Sequence, residues 1–523
     1  MDKGRGARLP ETESGWLETL IEVALEQRRP CSELDVGELV EGLASRLGWG
    51  TERVSALLSG CNAVAEYAIA ALDEEGDSLT EERAALMASR RAFRPLLEAR
   101  LQERVDGIEG ADEPVPRGPA PECDEAMHSK GRRKRGWLSS FGPLERRRRW
   151  SVCSHPGHGR GRSRAEERLL LPKGPFTAKL SESLTALATT VPHGMACQLA
   201  ERLLGVEVSE HALQDDVEQP AATLVAADEA LAQALNPFDE RGLEREVRGP
   251  EPEVSESPAV AFVEVDGVLP MTREEDPDRS RPVDGARGGK GRRYKLEGRE
   301  VKNAVLYTDE DAARESDSRG CLVRKRYVSS LSHWLPFALL LWVQMLKLRF
   351  DQARLIVILS DGAHWIRELA AWLPCSPQGL LILDRYHAFH RLHEVAVAAF
   401  GEGPAGREWR QRQKEDIEAG RVQHVIDRLR FVKPTNAEAA KKVAELITYF
   451  ENNTDRMDYP SYRARGLRVS TASVESANYH VTGARTKAQG MRWSEKGVAE
   501  MARLRADLFN DVWEERTRQA LAA

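Results

Sequence analysis

Apolar positions in the second half of the chain alternate between two patterns. Short runs rich in Val, Ile, Leu and Phe predict buried β-strands. Longer apolar stretches at 335–349 and 363–373 have the length of helices. Together they give the order βββαβαβ, which predicts an α/β domain built around one sheet. The strand-like runs are 260–266, 300–308, 322–330, 355–360 and 379–384.

The first half of the chain follows a different pattern. Residues 14–105 place apolar side chains three and four positions apart, which predicts amphipathic helices. Residues 106–135 are first acidic with Pro and Gly and then basic, which is typical of a linker. Residues 136–153, GWLSSFGPLERRRRWSVC, predict a β-hairpin that turns at Phe141-Gly142-Pro143.

Helical spacing returns at 176–234 and again at 388–460. The segment VPHGMACQLAERLLGVEVSEHALQDDVEQ is typical of a helix-turn-helix, with Gly205 in the turn and Ser209 as the N-cap of the second helix. Residues 235–258 are acidic and contain prolines, so we expect a linker there.

Composition favours a water-soluble protein of a reducing compartment. Of 523 residues, 41% are hydrophobic and 30% charged, and the longest apolar run is too short to span a bilayer. The start, MDKGRGARLPETE, has no apolar signal sequence. Seven scattered cysteines argue against a disulfide framework. We therefore expect a cytoplasmic protein with no membrane partner.

Charge is segregated along the chain. The net charge is −7, yet residues 130–168 carry 13 Lys and Arg against 3 Asp and Glu, while residues 1–113 carry 24 acidic against 13 basic residues. The basic segment predicts binding to DNA phosphates, and a solvated basic linker is the alternative. The candidate DNA-binding residues are Arg132, Arg133, Lys134, Arg135, Arg146, Arg147, Arg148 and Arg149.

Acidic residues follow three of the strand-like runs. Asp266, Asp361 and Asp384 each stand where such a run ends, and Glu475 lies in STASVESANYH. Three antiparallel strands followed by αβαβ form an RNase H-like sheet, in which the first and fourth strands are neighbours. We therefore expect Asp266 and Asp361 to meet at one sheet edge. Carboxylates there suit two divalent cations, although a single Asp before Gly is usually a turn residue.

Several longer segments carry a specific resemblance. These are LSDGAHWIRELA, LILDRYHAFHRLHE, the stretch from YFENNTDRMDYPSYRARG to TKAQGMRWS, and ARLRADLFNDVWEE. They resemble bacterial insertion-sequence transposases of the ISKra type, which have a Mutator-like DDE catalytic core. The resemblance covers roughly residues 135–515 and is strongest after 260.

The resemblance implies roles for the acidic residues. The DDE triad falls on Asp266, Asp361 and Glu475, and would hold two Mg²⁺ or Mn²⁺ ions. The Asp-x-x-His signature falls on Asp384 and His387, and 388–470 matches the helical insertion of such cores. The partners implied are the element's terminal repeats and target DNA, bound by a homodimer or higher oligomer.

The resemblance also shows departures. In the family, the hairpin that corresponds to the one near Cys153 usually ends in a zinc ribbon, but here proline replaces the second cysteine. Zinc binding by Cys153, His155 and His158, together with Cys123, is kept as an alternative. Before Glu475 the family tends to have glycines, where this chain has Ser470-Thr471-Ala472.

Two groups of residues beside the triad have competing interpretations. Asp384 and His387 either orient the scissile phosphate or a flipped base, or form a structural pair at the strand-helix turn. After Glu475, the residues Arg485, Lys487, Arg492 and Trp493 favour contacts to DNA, although Trp493 alternatively belongs to the core.

Three functions stay open at this level. The leading one is a DDE transposase; the others are a nuclease of the same fold and a repurposed DNA-binding protein without catalysis. The predicted domains are 1–113 (acidic, helical), 114–175 (basic linker and hairpin), 176–235 (helix-turn-helix-like), 236–258 (linker), 259–387 (core), 388–470 (helical insertion) and 471–523 (C-terminal part of the core).

Overall fold

The chain forms two compact units. The N-terminal unit comprises residues 1–188, 193–217 and 522, and the C-terminal unit comprises residues 189–192, 218–521 and 523. The computed structural model describes residues 36–73, 78–110, 127–153, 155, 161–275, 281–282, 290–291, 294–314, 320–374 and 379–522. In these ranges no helix is both long and apolar enough to cross a membrane.

A five-stranded sheet forms the centre of the C-terminal unit. Its spatial order is β3-β2-β1-β4-β5. Strand β2 pairs antiparallel with both β1 and β3, whereas β4 lies parallel to both β1 and β5. The predicted adjacency of the first and fourth strands is therefore confirmed. The strands are β1 Val260–Val268, β2 Val301–Thr308, β3 Arg326–Ser330, β4 Leu355–Ser360 and β5 Gly379–Leu383.

The strands read as continuous apolar runs because both faces of the sheet are covered. Alternate residues of β4 enter opposite clusters: Val357 and Leu359 pack on one side, Ile356 and Ile358 on the other. Helices α1 (Trp334–Lys347) and α2 (His364–Trp372) supply apolar side chains to the second side.

The first side of the sheet is covered by the helices that follow β5. The segment predicted as a helical insertion is indeed helical, since five helices between residues 385 and 464 fall within it or overlap it. Shorter helical turns lie at Asp309–Asp311, Phe350–Gln352, Thr454–Arg456, Asn478–Gly483 (a π-helix) and Ala484–Thr486. The longer helices are α3 Arg385–Phe400, α4 Pro404–Glu418, α5 Val422–Arg430, α6 Ala437–Asn453, α7 Tyr459–Ala464, α8 Ala472–Ala477, α9 Glu495–Phe509 and α10 Trp513–Ala522.

One predicted strand is misplaced, and the structure adds short strand pairings that the sequence did not predict. The segment after β1 contains a strand, Met271–Glu275, which pairs antiparallel with Tyr294–Gly298. The third strand begins at Arg326, four residues later than predicted, and Leu322 pairs instead in a short ribbon of Ala312–Arg314 with Gly320–Leu322. A second small ribbon joins Arg281–Pro282 to Lys290–Gly291.

The N-terminal unit combines helices with the predicted hairpin. The hairpin is longer than expected, since its first strand starts at Met127, inside the predicted linker. The linker is also shorter at its other end, where a helix continues to Gly110. Part of the first predicted helical stretch, 14–35, lies outside the described residues. The elements are helices Val36–Leu47, Thr51–Asp73, Ser78–Gly110, Arg164–Arg168, Ala178–Thr190, His193–Leu199 and the π-helix Ala200–Leu204, with strands Met127–Ser139, Gly142–Cys153 and Gly161–Arg162.

The predicted turn between two helices is present. Gly205 has a φ of 64°, a left-handed conformation that glycine adopts at low cost, and it ends the helical segment before it. The Ser209 hydroxyl accepts a hydrogen bond from Ala212 N at 3.2 Å, at the start of the helix Glu210–Ala234. This confirms the local helix-turn-helix geometry, while its binding to DNA stays a prediction.

The helix Ser78–Gly110 covers the outer edge of the hairpin's second strand. Three side chains on one side of this helix, Glu98, Gln102 and Glu109, accept hydrogen bonds from backbone N–H groups of the strand. Gln102 also donates to a strand carbonyl at 2.9 Å, as a paired strand would. The N–H donors belong to Glu145, Arg147 and Arg149.

Candidate active site at the carboxyl edge of the sheet

Strand register brings the predicted acidic residues together. Val265 of β1 lies opposite Ser360 of β4 in parallel register. The next residues therefore lie side by side: Asp266, which is still paired with Asn303 of β2, and Asp361, which directly follows β4. Asp384, directly after β5, joins them: its backbone N donates to Ser360 O at 2.7 Å. Three neighbouring strands thus contribute one carboxylate each to the same edge.

Glu475 and His387 approach this edge from two helices. Glu475 lies on α8, and its Oε1 is 3.2 Å from Nε2 of His387 on α3. The same nitrogen is 4.0 Å from Asp384 Oδ2. Ligand atoms of Asp384, His387 and Glu475 all lie within 4.8 Å of one another, the one such group of three among the described residues.

Asp266 shows how crowded with negative charge this edge is. The pKa of Asp266 is raised to about 6, first by burial and then by the negative charges of Asp361 and Glu475. The N–H of Gly267 and the ring of His387 act in the opposite direction. The carboxylates therefore sense one another, and a cation among them would relieve their repulsion.

Asp384 is fully buried and holds two segments together. Its Oδ1 accepts a hydrogen bond from Tyr386 N at 2.6 Å, which makes it the N-cap of α3. Its Oδ2 accepts from the backbone N–H of Thr471 at 3.2 Å and from the Thr471 hydroxyl. Asp384 therefore has a structural role at the start of α3. The same side chain also helps to position Glu475, because Thr471 directly precedes the helix that carries this glutamate.

Glu264 is a second buried carboxylate that the sequence analysis missed. It is 1% exposed, and its Oε1 accepts from the Tyr307 hydroxyl at 2.6 Å. Its Oε2 accepts from Val474 N at 2.9 Å, in the first turn of α8. Burial raises the pKa of Glu264, and these donors counteract it. The signal was an acid two positions before Asp266, on the same face of an otherwise apolar strand.

Asn478 orients Asp266 from the π-helical turn that follows α8. Its Nδ2 donates to Asp266 Oδ2 at 2.6 Å. Its Oδ1 accepts from Asn303 Nδ2, also at 2.6 Å, and Asn303 in turn accepts from the Thr482 hydroxyl. A continuous hydrogen-bonded row fixes the Asp266 carboxylate, and π-helical turns are frequent at such sites.

Asp361 combines the turn role with exposure to the site. Its Oδ1 accepts from Ala363 N at 2.9 Å, at the start of α2. Its backbone carbonyl accepts from the Tyr449 hydroxyl at 2.7 Å. The turn interpretation is therefore correct for this side chain, and the residue still lies beside Asp266.

The basic residues after Glu475 are not all available to DNA. Lys487 and Arg492 are exposed, but Arg485 is only 3% exposed and its guanidinium lies 4.7 Å from the ring centre of Trp493. Burial lowers the pKa of Arg485 to about 10. Trp493 itself packs against the Val301 cluster. The burial of Arg485 counts against the predicted contact with DNA, which stays a prediction for Lys487 and Arg492.

The basic hairpin divides its charges in the same way. Arg147 and Arg149 are exposed, whereas Arg146 and Arg148, which alternate with them, are 4% and 5% exposed. Arg148 Nε donates to Glu166 Oε1 at 2.5 Å, and Arg146 lies 3.7 Å from Glu98. Strand alternation turns these two side chains inward, which counts against their predicted contacts with DNA.

The first strand of the hairpin keeps most of its charges at the surface. Arg132, Arg133 and Lys134 are exposed and Arg135 is half-buried. Several of them already have acidic neighbours: Arg132 donates to Asp106 and Glu109, and Lys134 lies 3.1 Å from Glu145. The free positive charge of the hairpin is therefore smaller than the sequence indicates.

The zinc set predicted from the sequence is incomplete within the described residues. Cys153 is buried, and the backbone N of His155 donates to its Sγ at 3.4 Å. Cys123 and His158 lie outside the described residues. Within those ranges, Cys153 and His155 join no group of three cation ligands.

Comparison with known proteins finds that this part of the chain is similar to an uncharacterised family. Residues 292–519 match the model of UPF0236, described as an uncharacterised protein family. This match includes Asp361, Asp384, His387 and Glu475, and Asp266 lies before it. UPF0236 protein TTE2489 of Caldanaerobacter subterraneus subsp. tengcongensis is 33% identical over 153 residues, which is 29% of this chain and 30% of the relative.

Related proteins are repeated in the same bacterium. UPF0236 protein TTE0402 is also 33% identical over 153 residues, covering 29% of this chain and 28% of the relative. Another relative, 31% identical over 153 residues (29% of this chain, 30% of the relative), has a name that joins eleven gene designations. The chain thus spans less than a third of the length of these relatives.

Proposed function

From the site geometry, together with the match of residues 292–519 to the UPF0236 model, we propose that this protein is a DDE transposase. It binds the terminal repeats of an insertion sequence and catalyses DNA cleavage and strand transfer with divalent cations. The observation that carries the proposal is the convergence of Asp266, Asp361 and Glu475 at one sheet edge, from two strands and a distant helix. The strand order β3-β2-β1-β4-β5 supports an RNase H-like core.

The donor set fits two Mg²⁺ or Mn²⁺ ions. Hard cations prefer carboxylate oxygens, and Asp266 is a buried carboxylate whose pKa the nearby charges of Asp361 and Glu475 raise further than burial alone. When bound by Asp266, Asp361 and Glu475, the ions would supply electrostatic stabilisation of the charge that develops during phosphodiester exchange. Asp266 keeps room for such a ligand, because each of its oxygens has one protein donor.

The other residues of the site position this triad. Asp384 and Glu264 together fix the start of α8, through Thr471 and Val474 respectively. Because Glu475 follows directly, its reach toward the strand ends is set by these two buried carboxylates. His387, 3.2 Å from Glu475, is placed to exchange a proton with a reacting oxygen or to hold the scissile strand.

The repetition of relatives supports transposition over a nuclease of the same fold. One relative's name joins eleven gene designations in a single bacterium, which is what a mobile element that copies itself produces. In the proposal, exposed residues of the N-terminal unit such as Arg133, Arg147 and Arg149 bind the terminal repeats. The protein then acts on DNA in the cytoplasm as a dimer or larger assembly.

The test uses the protein with its own DNA. A plasmid carrying the coding sequence and its native flanks is incubated with full-length protein and Mg²⁺, and cut and joined products are sequenced. Asp266→Asn, Asp361→Asn and Glu475→Gln should each reduce cleavage at least about 10³-fold, since several kcal/mol of electrostatic stabilisation are lost. Glu438→Gln, at a 78% exposed carboxylate on α6, is the matched control.

The outcomes separate the three functions. Joined products with repeats at the element ends support the transposase. Cleavage without joining supports the nuclease, and binding of the flanks without any cleavage supports the non-catalytic protein. Substantial cleavage by Asp361→Asn would remove that residue from the triad.

A further inference from the structure

A groove of about 1200 Å³ opens beside the candidate active site. Gly362 and His364 line one wall, directly after Asp361, and Arg367 follows one helical turn later on α2. The opposite wall comes from the end of α6 and the turn after it, with Tyr449, Thr454 and Arg456 among the lining residues. The groove therefore begins where the triad's second strand ends.

Arg456 lines this groove but lacks the partners that a buried cation requires. The residue is 3% exposed, and its Nε and Nη1 make no hydrogen bond to the described residues. Asp455 Oδ1 lies 3.8 Å from Nε, too far for a hydrogen bond, and that carboxylate is 65% exposed. Burying a guanidinium in this state is costly unless an anion completes its shell.

Arg367 brings a second positive charge to the same place. After burial, the charge of Arg367 is the main influence that lowers the pKa of Arg456, so the two guanidinium groups are close. Arg367 is 45% exposed and donates to Asn452 O at 2.5 Å and to Asp455 at 3.2 Å. Two like charges held together across a groove favour an anion between them.

The acidic residues of the groove do not provide that anion. Glu451 already pairs with Arg430 at 2.6 Å, and Glu445 lies 3.8 Å from Lys441. Asp455 is shared between the two arginines, with its hydrogen bond going to Arg367. This leaves Arg456 with hydrogen-bonding capacity that its neighbours do not use.

The groove is rigidly connected to the triad. The Tyr449 hydroxyl donates to the Asp361 carbonyl at 2.7 Å. Gly362 has a φ of 93°, and a Cβ at this position would lie 2.8 Å from Leu383 and 2.9 Å from the Tyr449 ring. Only glycine fits between the strand end and the groove wall, so their separation is fixed.

We propose that this groove binds a backbone phosphate of the DNA strand that runs past the triad, with Arg456 and Arg367 as its donors. A phosphate matches the fork of N–H groups that a guanidinium presents. The identity of the ligand as DNA rests on the proposed function, whereas the presence of an anion site does not. Phosphate held here would fix the register of the strand relative to Asp361.

The experiment measures binding without catalysis. Full-length protein in EDTA is titrated with inorganic phosphate, followed by its melting temperature, and with a short single-stranded oligonucleotide, followed by fluorescence anisotropy. Wild type should bind both. Arg367→Gln and Arg456→Met should each weaken both affinities about 10-fold or more, as expected for lost charge-assisted hydrogen bonds. Arg412→Gln, at a 67% exposed guanidinium on α4, removes one charge outside the groove and should leave the affinity for phosphate unchanged.

The melting temperature in the absence of phosphate is the control for correct folding of the variants. Since Arg456→Met removes a buried charge without full partners, it should melt no lower than wild type in the absence of phosphate. The inference is overturned if phosphate affinity is the same in wild type and both groove variants, or if Arg412→Gln weakens it as much as Arg367→Gln. If phosphate and oligonucleotide bind as expected but no DNA is cleaved with Mg²⁺, the groove stands and the transposase proposal fails.

Discussion

The two units of this protein treat charge in opposite ways. In the C-terminal unit, carboxylates from three strands and one helix lie at a single edge, and the buried ones accept hydrogen bonds from N–H and O–H donors. In the N-terminal unit, strand alternation divides a basic run into exposed and buried arginines, and acidic side chains of two helices pair with part of it. The position of a charged residue along a strand thus determines whether its side chain is buried and paired or exposed.

The largest expected effect concerns the buried carboxylate Glu264. Glu264→Ala should lower the free energy of unfolding by about 3–5 kcal/mol, because the Tyr307 hydroxyl and Val474 N–H both lose their acceptor and a cavity remains. Urea denaturation measures this. Glu264→Gln keeps an acceptor oxygen and should lose less.

Cleavage by Glu264→Ala should fall as well, since the first turn of α8 loses its anchor. An exposed control, Glu438→Ala, should change neither stability nor cleavage. If Glu264→Ala is as stable as wild type, the buried carboxylates of this unit do not hold α8 in place.

The next effect separates the two roles of His387. His387→Ala should slow cleavage about 10²-fold, which is typical of a lost acid-base or positioning group, with little change in melting temperature because the ring is 32% exposed. Single-turnover cleavage and thermal denaturation are compared for the same preparation. A lower melting temperature with near wild-type activity per folded molecule would assign His387 to the structural pair.

A smaller effect tests buried charge in the N-terminal unit. Asp216 is 7% exposed, and burial raises its pKa to about 6, with the Ser181 hydroxyl opposing the shift. Its folded pKa lies above the ordinary value of 3.8, so the stability it allows is complete below about pH 4 and is lost as the pH rises through 6. Asp216→Asn should therefore stabilise the protein by on the order of 2 kcal/mol at pH 7.

The pH dependence provides the control for this substitution. At pH 4 the variant and wild type should unfold at the same urea concentration, and the difference should appear between pH 4 and 6. A constant difference at all pH values would mean that Asp216 is not an uncompensated charge.

The smallest effect compares neighbouring arginines of the hairpin. Arg147→Ala with Arg149→Ala should weaken DNA binding about 10-fold and reduce the slope of log affinity against log salt by about 2, since two phosphate contacts are lost. Arg146→Ala with Arg148→Ala should instead lower stability, because these side chains are buried. Equal losses of affinity in both double variants, at unchanged stability, would show that strand alternation does not select the DNA contacts.

The core sheet could be predicted from the sequence because its strands are buried on both faces. Such strands appear as uninterrupted apolar runs, and Asp266, Asp361 and Asp384 mark their ends. Glu264 was missed because an acid inside an apolar strand has no meaning without its donors, Tyr307 and Val474, which lie far away in sequence. The sequence likewise did not show that Arg485 is buried, because its packing against Trp493 depends on tertiary structure.

The hairpin was harder to predict, and its start was misplaced by nine residues. The first strand, Met127–Ser139, is mostly polar and exposed, so it lacks the apolar alternation that identifies a strand. In the second strand, Gly142–Cys153, arginine occupies both buried and exposed positions of the run 146–149. A hydrophobicity scale therefore does not distinguish the two faces of this strand. Charge counts alone therefore overestimate how much of the segment is available to DNA.

The helix that lies along the hairpin also closes a route to self-association. The unpaired backbone amide groups of an exposed edge strand are able to hydrogen-bond to a strand of another chain, and this pairing extends the sheet. Here Glu98, Gln102 and Glu109 take the place of a neighbouring strand, one acceptor for every second amide. A second copy finds these amides already satisfied, so the helix terminates the sheet as a side-chain imitation of a strand.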